Sequence, residues 1–166
     1  MKKMIKMGGL LVALLLTIGT LQAQKFGYVN SSAILAEMPA VKQADANLEA
    51  LQKQLQKKGQ KMVTDLQAEY QAVQANIVNL SQVQQEAEAQ KLQAKQEEIA
   101  KFEQEMVQQI ERKRQELLQP ILDQVNNAIK QVAEENGYQF IFDAQVLLFA
   151  EESTDVSTLV KSKLGI

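Results

Sequence analysis

The chain has 166 residues, with 18 basic and 20 acidic side chains and no His, Cys or Trp. Without Cys there is no disulfide, thiol nucleophile, thiolate metal site or lipid-bearing Cys. Without His, triad-type nucleophiles and the commonest transition-metal ligand are lost. Carboxylate chemistry survives that filter, and two Pro and seven Gly favour long uninterrupted helices.

Lys2, Lys3 and Lys6 open the chain with no acid nearby. An apolar run over residues 7–18 follows, broken only by Gly8, Gly9 and Thr17, and Leu21-Gln22-Ala23 ends on a small residue. That order is the one of a secretory signal peptide over residues 1–23. The run of 12 residues falls short of the ~20 that a membrane-spanning helix needs. Cleavage after Ala23 is therefore expected. The signal takes three cations and no anion, so residues 24–166 hold 15 cations against 20 anions, net −5. Phosphate contacts require a basic surface, so no nucleic-acid partner is expected. An exported chain without Cys is compatible with a bacterial periplasm.

Beyond the signal, the aromatic residues cluster at the two ends. Phe26 and Tyr28 lie near the mature start, and Tyr138, Phe140, Phe142 and Phe149 near the finish. Only Tyr70 and Phe102 fall between, in a middle rich in Gln, Glu, Lys, Ala and Leu. The material for one packed core thus sits at both ends, so the middle must go out and come back.

At the start, residues 25–29 alternate as a short strand through Phe26 and Tyr28. Asn30 and Ser31 can cap a short helix carrying Ala33, Ile34 and Leu35. Pro39 suits the first turn of the next helix. From there Val41, Ala44, Leu48, Leu51 and Leu55 recur at steps of 3 and 4, reaching Met62 with Lys58 on the seam. This is a heptad pattern. It becomes irregular through Leu66, Tyr70, Val73, Ile77 and Leu80, as in a coil with a stutter.

The reversal is expected near residues 76–82, where Asn76 and Asn79 flank Val78 and Ser81 is a good N-cap. The returning segment shows Ile99, Phe102, Met106 and Ile110, then Leu117, Ile121, Val125, Ala128 and Val132. A pivot at Leu80 pairs positions whose numbers sum to about 160. It sets Asp65 against Lys95, Glu69 against Lys91, Lys57 against Glu103 and Lys61 beside Glu98. Each such exposed pair is worth only about 0.2–1 kcal/mol, but their agreement supports an antiparallel hairpin over one continuous helix. Each arm would be ~60 Å long at 1.5 Å per residue.

At the far end, Gly137 stops the long helix as a left-handed cap. Residues 138–142 alternate as a strand, Asp143-Ala144-Gln145 turns, and residues 146–150 form a further strand. Asp155 caps a last helix through Val156, Leu159, Val160 and Leu164, with Gly165 after it. So small a sheet is marginal alone, and oligomerisation is the natural remedy. The fold class is α+β, mostly α: a long antiparallel helical hairpin projecting from a small body. The division expected is a body from residues 24–50 and 112–166 and a hairpin over 51–111.

These stretches resemble the Skp (OmpH-like) family of periplasmic outer-membrane-protein chaperones. The matching residues are Phe26-Gly27-Tyr28-Val29-Asn30-Ser31 with Met38-Pro39, Leu118-Gln119-Pro120-Ile121, Val132-Ala133-Glu134-Glu135-Asn136-Gly137-Tyr138, and Leu159-Val160 before Lys163-Leu164-Gly165-Ile166. The resemblance covers the chain after the signal in order and spacing. It implies a homotrimer whose body is built from strands and helix ends. Three hairpins hang from that body around a cavity that holds unfolded outer-membrane proteins without ATP. Many family members are basic, whereas this mature chain is acidic, which argues against contact with anionic lipid or lipopolysaccharide.

Holding an unfolded client needs many adaptable contacts, and Met and long side chains suit such surfaces. The client-binding candidates are Met62, Leu66, Tyr70, Val73, Ile77, Leu80, Val83, Leu92, Phe102 and Met106. The trimer body is assigned to Phe26, Tyr28, Val29, Tyr138, Phe140, Phe142, Leu147 and Phe149. Gly59 and Pro120 are candidate hinge and kink positions. No catalytic residue, metal or cofactor is expected, because the paired acids Glu97-Glu98 and Glu134-Glu135 lie on helix surfaces without a pocket signal. The competing reading is a structural coiled-coil adaptor or spacer of the cell envelope. A spacer needs a regular seam and a polar exterior; a holdase needs irregular arms with apolar residues left over.

Overall fold

The computed structural model describes residues 24–166; the expected signal peptide lies outside the described residues. In chain order it has β1 (Phe26–Val29), α1 (Ser31–Glu37), α2 (Pro39–Asn76), a 3-10 turn (Ile77–Asn79) and α3 (Gln82–Asn136). Then come β2 (Phe140–Asp143), 3-10 turns at Ala144–Val146 and Glu152–Thr154, and α4 (Ser157–Leu164).

The helix boundaries follow local chemistry. Asn30 accepts the Ala33 N–H and so caps α1. Pro39 stands in the first turn of α2, where a missing N–H costs nothing. Ser81 caps α3 in a reciprocal capping box with Gln84. Gly137 ends α3 with φ +70°, a left-handed conformation that favours Gly. Asp155 lies one residue before the α4 N-cap, Val156, and its carboxylate accepts the Ser157 N–H at 2.7 Å.

β1 and β2 form a parallel pair in the register Phe26↔Phe140, Gly27↔Ile141, Tyr28↔Phe142 and Val29↔Asp143. The strands are parallel because the whole hairpin is the crossover between them. Under the sheet lies one core of Val29, Ile34, Met38, Ala44, Ile121, Val125, Ala128, Val132, Val156 and Val160. It joins both ends of the chain through β1, α1, the body segments of α2 and α3, and α4, with Ile141 of β2 packed against it. Gly27 fits a tight spot here: a Cβ would stand 3.0 Å from the Tyr138 ring and 3.1 Å from Val156. Outer tethers complete the closure. Val156 N–H donates to the Tyr28 carbonyl at 2.9 Å. Lys161 pairs with Glu37 and Lys163 with Glu135, each at 2.6 Å.

One expected strand is absent. Residues 146–150 form no strand, and among the described residues the sheet has two strands. The segment follows a 3-10 turn at Ala144–Val146 and pairs with neither β1 nor β2, and Leu148 and Phe149 stand out in solvent.

Two substitutions test the packing. Ile34 is fully buried, so Ile34→Ala should lower the unfolding free energy by about 2–5 kcal/mol. Gly137→Ala should cost about 1–2 kcal/mol through its left-handed backbone. Urea denaturation followed by circular dichroism measures both, and unchanged midpoints would contradict the packing described.

Candidate functional site, the paired arms and the aromatic face

The arms are the outward part of α2 and the returning part of α3. Their seam is narrow. Leu55 and Phe102 are buried in it, as is Leu92 nearer the tip, while Leu51, Met62, Leu66, Ile99 and Met106 are half-buried. Gly59 faces Phe102: a Cβ there would lie 3.3 Å from the ring. The missing side chain gives the ring its seat, and Lys58 Nζ sits 4.8 Å from the ring centroid in a cation–π contact. α2 and α3 run continuously through Gly59 and Pro120 respectively. Beside the ring opens a cleft of about 760 Å3, lined by Leu55, Val63, Ile99, Phe102 and Met106 with Gln56, Gln60, Thr64 and Glu103 on its polar side.

The charge pairing differs from the expectation. Lys61 bonds Asp65, Lys91 approaches Glu88 and Lys101 approaches Glu105, each within its own helix. The expected pairs Asp65–Lys95, Glu69–Lys91, Lys57–Glu103 and Lys61–Glu98 do not form. Among the described residues the single ion pair across the arms is Glu69–Lys95. Exposed long side chains find partners three or four residues along their own helix at little cost, so they do not choose the register. The apolar seam does. Glu69 Oε2, the second oxygen of the bridging carboxylate, is buried without a hydrogen bond. Losing Lys95 would leave that carboxylate half-enclosed and unpaired.

The sequence-derived client candidates divide by burial. Leu92 and Phe102 are buried within the hairpin, Phe102 with one side on the cleft. Met62, Leu66, Val73, Leu80 and Met106 are half-buried. Tyr70, Ile77 and Val83 are exposed. Sequence reading passed over Val63, Val78 and Val107, all exposed on the arms. They fall off the heptad seam, and an apolar residue off the seam is the signal that marks them.

In the body, Val29 belongs to the interior and Tyr138 packs on Gly27 beneath Lys25, whose Nζ is 4.1 Å from its ring. Phe26, Phe140 and Phe142 form a stacked cluster on the outer sheet face, with centroids 5.8 to 6.4 Å apart. All three are more than two-fifths exposed. Val146, Leu148 and Phe149, a few residues further on, are exposed as well.

Two ionisations are perturbed. The Glu49 carboxyl is lowered by its hydrogen bond and charge contact with Lys53. The Tyr28 hydroxyl is raised above 10.0, first by partial burial and then by the Asp155 and Glu152 carboxylates. Among the described residues no acidic cluster suits a metal, and no helix is long and apolar enough to cross a membrane.

Paired helical arms on a small body with a two-stranded sheet are a particular architecture, and known proteins share it. The family model of outer membrane protein (OmpH-like) matches residues 25–164. The chain belongs to the OmpH-like, or Skp, family. The chaperone protein Skp of Photorhabdus laumondii is 29% identical over 160 residues, covering 96% of this chain and 97% of that one. The Skp of Photorhabdus luminescens is 28% identical over the same span. The crystal structure of a putative outer membrane chaperone (OmpH-like) from Caulobacter crescentus superposes with a TM-score of 0.75 at 22% identity, covering 86% of this chain and 84% of that one. That likeness shows the fold.

The Tyr28 shift sets a pH dependence. A raised pKa in the folded state contributes stability below the ordinary tyrosine value, and that contribution is lost as pH rises through the raised one. Thermal stability should therefore fall from about pH 10 upward, and Tyr28→Phe should flatten that part of the profile. A Tyr28→Phe protein with an unchanged alkaline profile would contradict the assignment.

Proposed function

We propose that this protein is an ATP-independent periplasmic holdase that keeps unfolded outer-membrane proteins from aggregating, aids their delivery to the outer membrane and performs no chemistry. The observation that carries it is the surplus of apolar surface on the arms once the hairpin is paired. Tyr70, Ile77, Val78, Val83 and Val107 remain exposed among Gln, Asn and Ala. A spacer would leave a polar exterior instead. An unfolded barrel protein has no fixed shape, so many weak contacts spread along flexible side chains suit it better than one pocket. The chaperone name of the two Photorhabdus relatives supports the same reading.

The working unit in this reading is a homotrimer, with the body as its hub and the arms around a cavity. The exposed Phe26, Phe140 and Phe142 face and the unpaired segment with Val146, Leu148 and Phe149 support it. Unpaired strand-forming residues and aromatic faces of this size call for a partner, and a second copy supplies the same segments. Body residues 24–50 and 112–166 and arm residues 51–111 are the corresponding functional division. The acidic balance of the mature chain, net −5, gives anionic lipid no electrostatic purchase.

Two measurements decide the reading. An unfolded barrel protein diluted out of urea should scatter far less light when stoichiometric trimer is present; unchanged scattering removes the holdase assignment. Deleting residues 65–95 should abolish holding while native mass spectrometry still finds trimers. Monomers alone at micromolar concentration for the full mature chain would remove the trimer.

A further inference from the structure

The arm tip differs from the rest of the chain in charge. Residues 24–166 carry 35 charged side chains, close to one in every four positions. Residues 70–85 carry none, the longest such run among them; the next, residues 26–36, feeds the body core. The run spans the end of α2, the Ile77–Asn79 turn and the start of α3. Its charge-free surface is also apolar in places. Val78 is 87% exposed and Val83 75% exposed, with Tyr70 and Ile77 exposed beside them.

We propose that the tips of the three arms touch one another and so close the far end of the client cavity. The inference rests on the trimeric reading above. Rotational symmetry brings the same tip to the same height in every subunit, so any charge there would meet its own copy and repel it. A tip without charge meets its copies free of repulsion and without desolvating an ion. Val78 and Val83 then have an apolar surface to cover, and the Asn and Gln residues around them can exchange hydrogen bonds. The area is small, so the contact is weak and reversible, as a cavity that admits and releases a chain requires. An anionic lipid surface is the poorer partner, because it is attracted by Lys and Arg and the tip has neither.

The chain has no Cys, so Val78→Cys places a lone thiol on each tip of the full mature protein. Lys101→Cys, at an exposed position about a third of the way along α3 from the tip, is the control. A short bismaleimide should link V78C subunits within one trimer at least about tenfold faster than K101C subunits, as the high local concentration of touching tips requires. Adding Val83→Lys to V78C should slow the linking about fivefold through like-charge repulsion, with partial recovery in high salt. Trimers whose V78C links no faster than K101C overturn the proposal, as do links joining separate trimers or a rate indifferent to Val83→Lys. Monomers in native mass spectrometry would instead remove the trimer itself, so the two failures are distinguishable.

Discussion

Pairing of Phe26–Val29 with Phe140–Asp143 closes a loop of more than a hundred residues. Closing so long a loop costs little more entropy than closing a shorter one, because the cost grows only with the logarithm of length. What must offset it is local and dense: Val29, Ile34, Val132, Val156 and Val160 are all essentially buried beneath the two strands. The ion pairs of α4 with α1 and α3 lie outside this core and add a modest margin. Everything between the strands is thereby hung from one point. α2 and α3 must leave the body side by side and antiparallel, whatever their own preference.

Away from the body, the arms are held by far less. A narrow seam, the Phe102 ring over Gly59 and the Glu69–Lys95 bridge join two helices across most of their length. Helices of this size owe their persistence to such packing rather than to propensity. The division of labour follows. The body concentrates its apolar residues to stay folded, and the arms leave theirs dispersed. Surface that would be a liability in a compact domain is what the proposed holding of an unfolded client would use.

Much of this was legible in the residues. Ser81 wrote the start of α3, Gly137 its end, and Asn30 and Pro39 the first two helices, because caps depend on neighbours in sequence. The placing of aromatic residues at both ends announced the closure. Charge pairing across the arms was not legible: Lys61 and Lys101 had partners on their own helices, and such weak alternatives are nearly equal in energy. Nor was the state of residues 146–150. Their unbroken apolar run fits a strand by composition, but a strand also needs a partner, and after the 3-10 turn at Ala144–Val146 the segment pairs with neither β1 nor β2. The arm surface was legible only in part. Heptad spacing located seam residues such as Phe102, which the hairpin itself consumes, whereas Val78 and Val107 lie off that pattern.

The central claim is that clients are held by the arms and not by the body. Amide hydrogen exchange of the assembled protein, with and without a bound unfolded barrel protein, tests it segment by segment. Slowed exchange over the distal arm, from about Met62 through Val83 and into the start of α3, with β1, α1 and α4 unchanged, is the result this account requires. Protection confined to β1, β2 and the segment around Phe149, with the arms unaltered, would contradict it.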